Sequence, residues 1–262
     1  MDRLHEVFGD SLAIIRYHGW WPFSGDPFWL ANTAESQDRI YYLYDHQQFP
    51  NDGLYAPHFF VDMIFDADAE PSTYENKVRQ ALAVPSLIAM DVDLDLDFAT
   101  RQLTVTCSGQ AEAAIADALH LRCALIESDL VLPSSNFPYD QVMRDMFPSS
   151  AGIPIDLATT QTFEAEATAT LNPAWELHNL EVVVFVQEDA EGEIFQTVKV
   201  GMPSDLPWFK LVSFGATETG TAGDGDGVIN PGEDGTIALA IRTDPAWGAV
   251  EDTGIVGGIA LA

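Results

Sequence analysis

The 262-residue sequence predicts an α+β chain, and three observations predict it. Across residues 1–86, apolar positions recur at strand and helix spacings in turn. From Ser86 to about Met202 the period becomes two, as in successive antiparallel strands. Inside that stretch, residues 180–202 open with Val182, Val183, Val184, Phe185 and Val186, a β-branched run too short for a helix. A polar turn follows, with Gly192 free to adopt positive φ, and then FQTVKV alternates. A hairpin this apolar needs a second sheet to cover it, so an antiparallel β-sandwich is expected.

The elements follow in order. MDRLHEVFGD reads as a helix ending at Gly9, and SLAIIRYH (11–18) as a strand. Asp26-Pro27 is a helix-start dipeptide, and Ile40, Leu43 and Tyr44 keep helical spacing to about His46. Asn51-Asp52-Gly53 is a turn, and PHFFVDM (57–63) a strand. Residues 71–83 form a helix with Tyr74, Val78 and Leu82 on one face, stopped before Pro85. Strands are expected near 88–98, 102–108, 118–127, 161–171, 180–188 and 194–202, with 130–155 an irregular surface excursion. A third segment begins near Phe209 and holds LVSFGATET, a Gly/Asp loop, TIALAIRT and GIVGGIALA. It has roughly half the length of a sandwich module. The expected divisions are 1–86, 87–204 and 205–262.

Forty-one acids against eleven Lys and Arg give a net charge of −30. Such a field repels phosphates and anionic lipid, which excludes nucleic acid as a partner. It fits either a solubilising surface from a marine or salt-adapted source or a dedicated cation binder. No window approaches the roughly 18–20 apolar residues of a membrane-spanning helix. The N-terminus lacks the apolar core and cleavage site of a signal peptide.

Several residues are candidates for chemistry. GDGDGVINPGE (223–233) resembles a calcium loop, with Asp224, Asp226, Asn230 and Glu233 as oxygen ligands and Gly227 at the sharp turn. Ala222 at the first position offers no side-chain oxygen, and a plain acidic turn is the alternative. Calcium is the one cofactor the sequence proposes. Asp91, Asp93, Asp95 and Asp97 share one strand face, either a solvated surface or a metal ladder. His18, His46 and His58 fall in the N-terminal part without metal-ligand spacing. Tyr17, Trp20, Trp21, Phe23, Phe28 and Trp29 cluster as core or as a binding groove. Cys107 and Cys123 flank a loop near Ile115. A hairpin there makes either a cross-strand disulfide or two buried free thiols. There is no P-loop, GxSxG or dinucleotide fingerprint, and no catalytic residue is assigned.

The order strand, helix, proline-led strand, helix over 11–83 resembles the back of a thioredoxin-like fold, with Pro57 at its cis-proline. Together with IRYHGWWPFSGDPF, HNLEVVVFVQED and NFPYDQVMRDMFPSSAGIPIDL, it resembles the 28-kilodalton outer-membrane-protein-related family over about residues 5–202. That resemblance implies a secreted or envelope-associated bacterial protein: a partial thioredoxin-like domain, then a β-sandwich. The C-terminal segment resembles the start of an immunoglobulin-like β module. The family's Cys-x-x-Cys precedes the first helix, where this chain begins, so no catalytic cysteine carries over. The resemblance implies a non-catalytic structural or binding portion with a protein or cell-surface partner. Its alternatives are the remnant of a thiol–disulfide oxidoreductase whose Cys-x-x-Cys lies upstream, and a calcium-dependent adhesion module. An N-terminal sheet lacking one strand also predicts a homodimer completed at that edge.

Overall fold

The computed structural model describes residues 2–45, 56–63, 65–67, 71–133, 135, 137–203, 209–218 and 235–243. The chain divides into two compact units, Met1–Pro203 and Ser204–Ala262. It is a mixture of helices and antiparallel sheets.

In the first unit, helix α1 (Asp2–Phe8) ends in a single 3₁₀ turn at Gly9–Ser11, where Gly9 takes φ +52°. Helix α2 (Pro27–Ala31) starts where Asp26-Pro27 predicts: Asp26 Oδ1 accepts from Phe28 N at 2.8 Å and Trp29 N at 3.1 Å. The single helix expected to His46 is instead two. Asn32 leaves helical dihedrals and starts α3 (Thr33–Asp45), its Nδ2 donating to Glu35 Oε2 at 2.6 Å and to Arg144 O at 3.2 Å. Among the described residues, strands β1 (Phe59–Val61) and β2 (Phe65–Ala67) pair only with each other, and α4 (Pro71–Ala81) follows.

Strands β3 (Ile88–Asp97), β4 (Gln102–Ala111) and β8 (Thr162–Thr170) form one antiparallel sheet in the order β3-β4-β8. The other, larger sheet runs β10-β9-β5-β6. Its strands are β10 (Ile194–Gly201), β9 (Leu180–Glu188), β5 (Leu119–Glu127) and β6 (Val142–Phe147), and β7 (Ile153–Ile155) also pairs with β5. The β9–β10 hairpin closes as the sequence predicts, with Gly192 at φ +79°. Strands β6 and β7 lie in the stretch expected to be irregular. The apolar pairs Val142–Met143 and Met146–Phe147 break the two-residue alternation because β6 shifts register against β5 between Leu125 and Ile126.

Strands β5 and β9 are buried on both faces. Cys123 stands opposite Val184 and Leu125 opposite Val182, sharing one face. That face meets the apolar side of β4, where Leu103, Val105 and Cys107 are buried. Ala124, Ile126, Met143, Met146, Val183 and Phe185 form a core on the reverse face, covered by Ala13, Ile15, Tyr17 and Ile194. At about 25 cal/mol per Å², this two-sided burial is the main stabilising term of the unit.

The segment expected as a strand at 11–18 is not one. It lies on β6 through one parallel bridge, Arg16 N donating to Gln141 O at 2.8 Å and Met143 N to Arg16 O at 3.0 Å. Among the described residues it and β1 share no sheet. In the second unit, β11 (Phe209–Glu218) and β12 (Gly235–Thr243) pair antiparallel, with a register shift between Leu211 and Ser213.

Candidate binding cleft

The N-terminal elements do not close completely over the large sheet. They leave a cleft of about 760 Å³ walled by α1, the 12–23 segment, α3, residues 56–63, α4 and the β9–β10 hairpin. A space of this size suits a small organic ligand. The wall is mainly apolar and aromatic. Trp20 and Tyr17 are half-buried within it, while Trp21 and Phe23 stand 57% and 67% exposed.

Arg39 is the buried cation of this wall, only 2% exposed. Its guanidinium lies among three rings, with centroids 4.6 Å away for Tyr42, 5.7 Å for Phe185 and 5.9 Å for Tyr17. Arg39 Nη2 donates to Gln187 Oε1 at 3.0 Å, and Gln187 is held by donating to Gly192 O at 2.6 Å. Arg39 Nε is buried without a hydrogen-bond partner. A second guanidinium, Arg122, lies 5.0 Å from the same Tyr42 ring. It is matched by Asp189 at 3.1 Å, and its pKa is lowered by burial first and then by Arg39.

Two acids line the same space. Asp26 pairs with His18 Nδ1 at 2.8 Å while capping α2. Asp62 sits at φ +49° and its carbonyl accepts from Ile194 N at 3.1 Å. Burial, with Glu193 adding to it, pushes the Asp62 carboxyl up to about 6. Behind α3, Glu35 accepts from Met146 N at 2.8 Å and shares a hydrogen bond with Asp145. Burial raises the pKa of both carboxyls.

The residues singled out from sequence separate in space. Pro57 lines the cleft, and its peptide with Ala56 is cis. His18 and His58 also line it, but His58 Nδ1 is 2.9 Å from Tyr44 Oη and its ring stacks on Phe60; His46 lies outside the described residues. The aromatic cluster serves both readings. Phe28 and Trp29 are buried, with Trp29 5.2 Å from Trp20, whereas Tyr17, Trp20, Trp21 and Phe23 border the cleft.

Cys107 and Cys123 are not hairpin partners. β4 and β5 belong to different sheets, so each thiol reaches the shared core from its own layer. Both are free and buried in the structure, and the hairpin expected to bring them together is not formed. Burial pushes both up to about 12, with Asp91 adding for Cys107 and Cys107 adding for Cys123. Asp91, Asp93, Asp95 and Asp97 are all exposed along β3. Among the described residues no cluster of His, Cys, Asp or Glu forms a metal site. Asp224, Asp226, Asn230 and Glu233 lie outside the described residues. Arg39, Asp62 and Glu35 were not singled out from sequence, because each stands in a pattern that reads as an ordinary polar helix face or loop.

Comparison with solved structures finds a domain of the outer membrane lipoprotein Omp28 from Porphyromonas gingivalis. It is 19% identical, with a TM-score of 0.34, covering 45% of this chain and 91% of that one. No protein-family model matches the chain, and no curated protein matches it. No helix among the described residues is long and apolar enough to cross a membrane.

Proposed function

We propose that this chain is the non-catalytic binding portion of a secreted or envelope-associated bacterial protein. One observation carries the binding reading: a roomy, largely apolar and aromatic cleft opens between the N-terminal elements and the large sheet. The setting rests on the family resemblance of residues 5–202 and on the net charge of −30. The two thiols of the chain are sealed in the core and offer no nucleophile of their own. A cysteine acts as a nucleophile through its thiolate, and burial holds Cys107 and Cys123 near 12. Titration of the native protein with an aromatic disulfide reagent is therefore expected to leave both thiols unmodified, while guanidinium-unfolded protein reacts at both. Rapid stoichiometric reaction of the folded protein would mean that the two thiols are open to solvent and not sealed in the core.

A second reading concerns the C-terminal unit. β11 and β12 remain paired as far as Glu218 and Gly235, which brings together the ends of the segment carrying Asp224, Asp226, Asn230 and Glu233. Calcium binding there stabilises the unit by mass action, by about 2.7 kcal/mol at a hundredfold excess over Kd. The expected outcome is a melting transition that rises between chelator and millimolar calcium. A transition that stays put sinks the calcium reading.

A further inference from the structure

One carboxylate in the wall of the cleft is left without a counter-charge. Asp62 follows directly on β1, at φ +49°, and its carbonyl accepts from Ile194 N at 3.1 Å. Val61, Asp62, Met63 and Ile194 all line the cleft. Asp62 is half-buried, so it keeps accessible surface. Among the described residues no cation and no hydrogen-bond donor reaches its carboxylate. Both influences on it disfavour the charge, burial first and then the Glu193 carboxylate. Asp26, the other acid of the wall, is by contrast engaged by His18 at 2.8 Å and by the start of α2. A carboxylate partly withdrawn from water without a partner is costly, and a cation brought to it recovers that cost.

The surroundings favour a cation of a particular kind. Arg16 and Arg39 are the arginines of the wall, and neither bears on Asp62. Glu188, Glu191 and Asp117 bear on Glu193, so the corner of the cleft beside the hairpin is anionic. A bare metal ion needs several oxygen ligands, and among the described residues no acidic group forms such a set. The rest of the wall is aliphatic and aromatic, with Trp20, Tyr44 and Phe60 among its rings. Such a wall suits an apolar body, and ring faces attract an organic cation.

We propose that the cleft binds an amphipathic primary amine, its ammonium paired with Asp62 and its apolar body against the aromatic and aliphatic wall. This rests on the binding reading above and names the class of ligand. The ammonium supplies the donors that the Asp62 carboxylate lacks, and a charge-assisted bond at a partly dry wall is worth more than the same contact in water.

The test compares two probes with the same body, decylamine and decanol, titrated into the full chain by calorimetry. Salt at about 0.15 M screens attraction by distant acids within about 8 Å. Decylamine is expected to bind at least roughly tenfold more tightly. Asp62→Asn is expected to abolish that preference while decanol binding persists, since asparagine accepts the same left-handed φ and removes only the charge. Asp95→Asn, an equal loss of charge on the exposed face of β3, is expected to leave the preference unchanged. A preference that survives Asp62→Asn overturns the proposal, and so does one lost equally in Asp95→Asn. Equal affinity of wild type for the two probes also overturns it, yet spares the binding reading by leaving the cleft a site for neutral ligands. Binding of neither probe overturns both. The wild-type comparison needs no variant, so it decides the matter even if Asp62→Asn fails to fold.

Discussion

The two faces of the large sheet are made by alternate residues of the same strands, yet they have opposite character. The centre of one face presents Leu121, Cys123, Leu125, Val182 and Val184 to the β3-β4-β8 sheet, all buried, with the carboxylates Glu127 and Glu188 only at the strand ends. The other presents Phe185, Arg122 and Gln187 to the N-terminal elements, with Arg39 bonded to Gln187 from the opposite side. A sheet-on-sheet contact seals because both partners are flat and pleated alike. A covering of short helices and a single-bridge segment does not match that surface everywhere, and the mismatch is the cleft.

The comparison predicts a difference in mutational cost. Leu125→Ala removes side-chain atoms from a site with no solvent exposure, and should cost about 2–5 kcal/mol in a urea titration. Ile15→Ala truncates a half-buried side chain that already borders open space, and should cost less, about 1–2 kcal/mol. If Ile15→Ala proves the more damaging, the N-terminal covering is the tighter contact and the cleft is not an open site.

The same contrast explains how much the sequence disclosed. Strands 88–97, 102–111 and 180–188 were legible because each face of a sandwich strand has a constant environment, so burial and alternation coincide. β6 was hidden by its register shift, which places Val142 and Met143 as an apolar pair. The helix break at Asn32 has a local signal, since Glu35 N donates to Asn32 Oδ1 at 3.4 Å across the spacing of a capping box, but the helical periodicity of the residues after it hides the break. The site fared worse still. Arg39 belongs to a mixed polar helix, and only the packing of Tyr42, Phe185 and Tyr17 around it distinguishes it from a surface arginine. Pro57 and the aromatic run were visible as residues of interest, but their common cavity is a tertiary fact.

A smaller effect tests the cleft side by its pH dependence. Asp62 has its carboxyl raised from 3.8 to about 6 in the folded protein, mainly by burial. A carboxyl whose folded pKa is raised favours folding when protonated. Its contribution is therefore fully present below about pH 4 and lost as pH rises through about 6. Glu35, Asp145 and Glu193 are shifted in the same direction, so the whole first unit is expected to gain stability on mild acidification from neutral pH. Asp62→Asn isolates one part of that response. Asparagine accepts the left-handed φ of +49° as readily as aspartate and cannot ionise. At pH 7 the variant should be more stable than wild type by roughly 1–3 kcal/mol, and at pH 4 the two should coincide. Denaturant titrations at both pH values measure the difference. A variant no more stable at pH 7 means that Asp62 is hydrated where it stands, and the cleft is then wetter at that wall than its burial implies.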